Sequence, residues 1–328
     1  MSEPVATTQQ EQDLRHDEVV AGVDSGLANP RLDVTDARQN SLWSDAWGQL
    51  RRNPFFWIGA VLGVLIIAMA LVPSVFARGV DPRACDLALS ADPPSAAHWL
   101  GVDQQGCDYL ANIVYGARNS LIIGLLSVLL VLVIGVVLGA LSGYYGRAVD
   151  SVLSRVTDIF FALPLILGAL VVLRVGPSTG LPVISERGPG AVSIALSLFG
   201  WMTAMRLVRS QTIAIKSSDY VAAARALGAS SLRILVRHIL PNAVAPVLVY
   251  ATITVGVLIA AEATLTYLGV GLQQPAISWG LQINTGQSQL RVAPHLVLFP
   301  SIALTLTVMA FIMMGDALRD ALDPRQRR

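Results

Sequence analysis

Long apolar runs, broken by short charged segments, dominate this chain. A transmembrane helix needs about 20 predominantly apolar residues. Phe55 to Ala77 is a run of 23 without a charged side chain, and Asn119 to Leu141 is another of 23. Asp158 and Arg174 enclose 15 uncharged residues, and Gly188 to Met205 gives 18. Ile239 to Ala261 is 23 residues long and meets Glu262, and Val292 to Gly315 is 24. The pattern predicts six spans. The third and fourth are the shortest, and a Gly- and Pro-rich stretch, Gly176–Gly190, joins them. Ahead of the first span, Trp43, Trp47 and Leu50 recur at helical spacing before Arg51-Arg52-Asn53-Pro54. That spacing reads equally as a short interfacial helix or as isolated aromatic belt residues.

Composition agrees with this reading. The 328 residues are 54% hydrophobic and only 14% charged, against roughly 25% charged in soluble domains. The formal net charge of +1 gives no electrostatic case for nucleic acid. With the N-terminus placed inside, 14 basic residues flank the inner span ends and 6 the outer ones, the long N-terminal segment left aside. Basic residues collect on the cytoplasmic side, so both termini are expected there, in a plasma or inner membrane. The expected organisation is a disordered tail over 1–40, then an interfacial helix and first span over 41–77. An extracytoplasmic loop over 78–117 follows, then a core of five spans over 118–318 and a C-terminal tail over 319–328. No apolar signal-peptide region precedes the first span.

The chain lacks the residues of common enzymes. Lys216, the only lysine, sits in Ile-Lys-Ser without the glycines of a phosphate-binding loop. The four histidines are far apart, with no H-E-x-x-H spacing, and no G-x-S-x-G occurs. No catalytic centre, cofactor site or metal site is expected. Glu262, near the outer end of the fifth span, is a candidate for the transport path by default; the alternative is a local pairing. Gly135, Gly139 and Gly143, and likewise Gly59 and Gly63, recur every four residues, as close helix packing in a membrane requires.

One inner segment stands out. Ser218-Asp219-Tyr220-Val221-Ala222-Ala223-Ala224-Arg225-Ala226-Leu227-Gly228 begins with a capping residue and an acid, continues with alanines and stops at glycine. These features predict a helix of roughly nine residues. A second stretch, Ser231 to Leu240, is expected to end at Pro241. A short helix of small apolar residues is a poor solvated connector and a good knob for a partner's groove.

Gly228, nine residues, then His238-Ile239-Leu240-Pro241 resembles the EAA-loop signature of ABC importer permeases, with Ala222 where that family has Glu. Trp99-Leu100-Gly101-Val102-Asp103-Gln104-Gln105-Gly106-Cys107-Asp108 is similar to the family's L-G-T-D-x-x-G-R-D. Tyr115-Gly116-Ala117-Arg118-Asn119-Ser120-Leu121, Glu262 to Gly269 and Gly315 to Arg325 look like the C-type permease of dipeptide and oligopeptide importers. The resemblance covers about residues 42–325. It implies an all-α polytopic bundle of the type I importer fold, moving di- or oligopeptides or, in some relatives, nickel complexes. It also implies a second homologous permease, two cytoplasmic ATPase subunits or a fused pair that bind the ATP and Mg, and an extracytoplasmic solute-binding protein. The ATPases would be met by Asp219 to Gly228 with His238, Leu240 and Pro241. An ATP-independent secondary carrier is the competing class; it needs inverted repeats, and none is evident. Cys85 and Cys107 are the only cysteines and both fall in the first outer loop. They are expected to form a disulfide in that oxidising compartment, or else to be two idle thiols. Cys107 stands where the family more often has Arg, which a paired substitution would explain.

Overall fold

Helix α1 (Leu42–Leu50) starts the part of the chain that the structure, a computed structural model, describes: residues 42–180 and 188–323. The expected tail over 1–40 lies outside these residues, as does the end of the C-terminal tail. Trp47 of α1 is 54% exposed, while Ala46 and Leu50 pack against Ala317 and Ala321. The residues ahead of the first span therefore form a helix that packs on the C-terminal end of the chain.

The described residues from Ser44 onward form one unit. Helix α2 (Pro54–Leu71) is capped by Asn53, whose side chain accepts from the Phe55 and Phe56 amides. Pro73 ends it and opens a single turn, α3 (Pro73–Phe76), so the first apolar run is one helix plus a turn. Helix α4 (Tyr109–Tyr145) follows, 37 residues long and about 55 Å at 1.5 Å per residue. It starts well before the expected Asn119, because Asp108 caps it through the Ala111 amide. The non-helical part of the expected 78–117 segment therefore ends at Asp108.

The expected third and fourth spans are broken. Helices α5 (Arg147–Phe161) and α6 (Leu165–Val175) meet at Pro164 with a bend of 82°, measured through Thr179. Helices α7 (Pro189–Leu198) and α8 (Trp201–Lys216) meet at Gly200 with a bend of 51°. The α8 helix carries Arg206 and Arg209, which charge alone assigns to a loop. Arg209 donates to both Asp150 oxygens at 2.5 and 2.6 Å, and Arg206 donates to Asp158 at 2.8 Å. Helix α5 thus turns Asp150 toward α8, while Asp158 stays exposed beside Arg206, and Val149, Val152, Val156 and Ile159 are exposed as well.

A short helix, α9 (Asp219–Ala226), and a turn, α10 (Ser231–Ile234), precede a π-helical turn over Leu235–Ile239 and helix α11 (Leu240–Tyr267). The expected stop at Pro241 does not occur. The wide turn places this proline in the first turn of α11, where its missing N–H removes no helical bond. Ser231–Tyr267 is therefore one continuous candidate span. Helix α12 (Trp279–Gly286) and the last span, α13 (His295–Leu322), complete the bundle.

Four helices are long and apolar enough to cross a membrane, and six spans result if each bent pair is one. No strand occurs among the described residues. The chain is an all-α, multi-pass membrane protein. The glycine stripes are packing seams. A Cβ on Gly135 would lie 2.5 Å from the Ala204 Cβ, and one on Gly139 would lie 2.6 Å from the Met205 carbonyl oxygen. Gly59 meets Ala310 of α13 in the same way, at 2.9 Å.

Candidate functional site

The segment Asp219–Pro241 lies at the α4 end marked by Tyr144, whose carbonyl accepts a hydrogen bond from the Lys216 ammonium. Ser218 occupies the N-cap position of α9, yet its hydroxyl does not cap. It donates backward to the Ile215 carbonyl at 2.6 Å. Asp219 alone supplies the favourable charge in the first turn. At the other end Gly228 has φ +80°, and the Ala229 amide donates to the Ala224 carbonyl at 3.0 Å. This is the left-handed glycine stop the sequence implies.

Val221 anchors the helix. It is fully buried among Ala140, Tyr144, Val208, Ile234, Leu235 and Ile239. Its neighbours face outward. Ala222, Ala223, Arg225, Ala226 and Gly228 are exposed, and Ala224 is half-buried. Tyr220 is 48% exposed and Leu227 88%. His238 lies half-buried with its ring 6.5 Å from that of Tyr220, Leu240 is half-buried and Pro241 exposed. Leu232 and Val236 extend the apolar surface. The segment thus gathers apolar side chains at one exposed knob, and neither Asp219 nor Arg225 makes an ion pair among the described residues. Such a surface can bury area against a partner; it carries no group set for bond chemistry.

At the other end of α4 the connection 78–108 is tied to itself. Cys85 and Cys107 are joined by a disulfide, and the two residues also form an isolated β-bridge. Asp103 accepts from the Gln105 and Cys107 amides at 2.8 and 2.9 Å and from the Asn112 amide side chain at 3.1 Å. Gly106 has φ +81°, and a Cβ there would lie 1.8 Å from the Asp86 carbonyl oxygen, so only glycine fits. His98 pairs with Asp108 at 2.9 Å. Gln104 donates to the Thr285 carbonyl at 2.7 Å, which joins this connection to α12.

Glu262, the expected pathway candidate, sits in a buried polar junction. It is fully buried, and its carboxylate accepts from Thr266 at 2.9 Å, Ser278 at 3.3 Å and Ser120 at 3.4 Å. Three segments meet there: α4, α11 and the entrance to α12. Trp279 and Gln282 reinforce the junction by donating to the Ile113 and Asn112 carbonyls at 3.0 and 2.7 Å. Sequence reading finds the acid but not its partners, which lie 142 and 16 residues away. Among the described residues no group of three or more His, Cys, Asp or Glu could hold a metal ion.

Comparison with known proteins accounts for this arrangement. Residues 41–93 match the N-terminal TM domain of oligopeptide transport permease C. The chain is 38% identical over 288 residues to the oligopeptide transport system permease protein OppC of Bacillus subtilis, covering 88% of this chain and 91% of that one. It is 36% identical over 292 residues to the glutathione transport system permease protein GsiD of Pectobacterium atrosepticum, covering 89% and 94%. A dipeptide transport system permease protein DppC of Alkalihalophilus pseudofirmus is 38% identical over 292 residues, covering 88% and 91%. Residues 135–328, more than half of the chain, match the family described as binding-protein-dependent transport system inner membrane component, and the chain belongs to that family.

Proposed function

We propose that this chain is the membrane-spanning permease subunit of an ATP-driven importer of short peptides. The observation that carries the reading is the exposed helix Asp219–Ala226, anchored by Val221 alone and joined to a continuous span. An exposed apolar knob of this kind is a docking element for a partner's groove. The partners are two ATPase subunits or a fused pair, which hold the ATP and Mg. The knob and both termini are then cytoplasmic, and the disulfide end faces outward toward a solute-binding protein. A second, homologous permease completes the pathway, and the apolar outer face of α5 suits a lipid or helix neighbour. This chain has no nucleotide site of its own. Peptides are favoured as cargo because the relatives compared are named for oligopeptides, dipeptides and glutathione.

Reconstitution tests the reading. ATPase subunits should co-purify with the chain, and peptide uptake into proteoliposomes should require ATP, the ATPases and the binding protein together. Uptake by the chain alone would make it a secondary carrier and sink the proposal. A reporter fused after Ser217 should read cytoplasmic and one after Gln282 extracytoplasmic; reversed signals would remove the docking argument.

A further inference from the structure

A cavity of about 350 Å³ opens at the disulfide end of the bundle, between the 78–108 connection and α12. Its size falls within the ordinary range of small-molecule sites. Cys85 and Cys107 form part of its wall, so the disulfide fixes one side. The charged lining residues are one carboxylate, Asp103, and one guanidinium, Arg83. Arg83 is exposed and makes no ion pair among the described residues.

Asn112 bonds to both Asp103 and Gln282, and all three line the cavity. Its amide side chain donates to Asp103, and its backbone carbonyl accepts from the Gln282 amide nitrogen at 2.7 Å. That second bond fixes the orientation of the Gln282 amide and leaves its carbonyl oxygen with no partner, although Gln282 is only 8% exposed. A buried acceptor without a donor is costly, and the cost is recovered when a donor arrives. Asp103 accepts three hydrogen bonds, and a carboxylate offers about four lone-pair positions. This corner therefore has acceptor capacity and negative charge, and the one cation lining the cavity, Arg83, is not paired with Asp103.

We propose that this cavity binds a small zwitterionic amine, with its primary ammonium group donating to Gln282 and Asp103 and its carboxylate facing Arg83. The free termini of a short peptide have this chemistry, and so does a free amino acid. The proposal deepens the peptide-importer reading and rests on it for the identity of the occupant. The site lies at the end of the permease assigned to the outside, where it would hold a peptide before the pathway opens.

The test is calorimetric titration of the full-length chain, assembled with its partner permease and ATPases in lipid nanodiscs, with the binding protein omitted. The probes are dialanine, N-acetyl-dialanine, dialanine amide and free alanine. Dialanine should bind saturably. Acetylation of its amino group should weaken binding at least tenfold, because a charge-assisted donor is lost. Gln282→Met should weaken dialanine by about tenfold. Arg83→Ala, at an exposed position, should weaken dialanine while leaving dialanine amide unchanged. Alanine binding as tightly as dialanine would assign the site to amino acids; weaker binding would assign it to peptides. Equal affinity for dialanine and its acetylated form, or no saturable binding, overturns the proposal. Uptake driven by the binding protein is read separately: uptake without such binding removes the site and keeps the importer, while binding without uptake does the reverse.

Discussion

At one end of the bundle the connection 78–108 is closed by its own bonds: a disulfide, the Asp103 turn, the His98–Asp108 pair and the Gln104 tie to α12. At the other end the connection 217–230 holds to the bundle chiefly through one buried side chain, Val221, and shows Leu227 to its surroundings at 88% exposure. Both connections are short and neither has a large core. The first is closed by a covalent bridge and several polar contacts of its own. The second leaves apolar area unburied, and the proposed ATPase docking would cover it. A segment's own bonding thus tells whether it is finished within the chain or only in an assembly.

Removing the disulfide is the strongest way to break the comparison. The bridge spans 22 residues, and by chain entropy a loop of that length gains about 3 kcal/mol, a model-dependent value. Replacing both cysteines by alanine should speed limited proteolysis within 78–108 and leave cleavage near 219–226 unchanged. Equal loosening of both ends would show that they are not independent.

Gly228→Val comes next. At φ +80° a β-branched residue is strained by about 1–3 kcal/mol, although a Cβ there would touch nothing. Membrane insertion and proteolysis of 78–108 should stay unchanged, while ATP-driven uptake should fall at least tenfold. Unchanged uptake would detach this helix from the transport cycle.

Leu227→Ala sharpens the comparison because it separates stability from assembly. The side chain is exposed, so the isolated chain should lose less than about 0.5 kcal/mol. Burial against a partner contributes about 1.5 kcal/mol or more for such a side chain, so ATPase co-purification should drop about tenfold. The smallest effect is expected from Ser218→Ala. Capping serines are usually worth about 1 kcal/mol, but this hydroxyl donates to Ile215 instead. Thermal unfolding should shift by the equivalent of less than about 0.5 kcal/mol, and a full capping loss would contradict the hydrogen bond described.

Much of the fold was legible because membrane burial writes itself as long apolar runs, and because Gly228 and the alanines before it obey local rules. What stayed hidden depends on distant partners. The start of α4 at Tyr109 was masked by Asn112, Arg118 and Asn119, two of which are tied to the 277–282 segment: Asn119 donates to the Ile277 carbonyl, and the Asn112 carbonyl accepts from Gln282. Arg209 reads as a loop cation until Asp150, 59 residues earlier, is found beside it. Glu262 reads as a lone intramembrane acid, and only folding brings Ser120 and Ser278 to it. Pro241 reads as a helix end, because nothing in local propensity announces the π-helical turn that accommodates it.

That turn has a mechanical consequence. By sparing the helix a break at Pro241, it leaves Ser231–Tyr267 as a single rod of 37 residues, roughly 55 Å long. One end emerges directly from the exposed α9 connection and the other ends just beyond the Glu262 junction. Length magnifies angle into distance: if the segment tilts as one body, roughly 5° about one end carries the other through about 5 Å. A small reorientation at the α9 end would then reach the Glu262 junction as a displacement of about 5 Å.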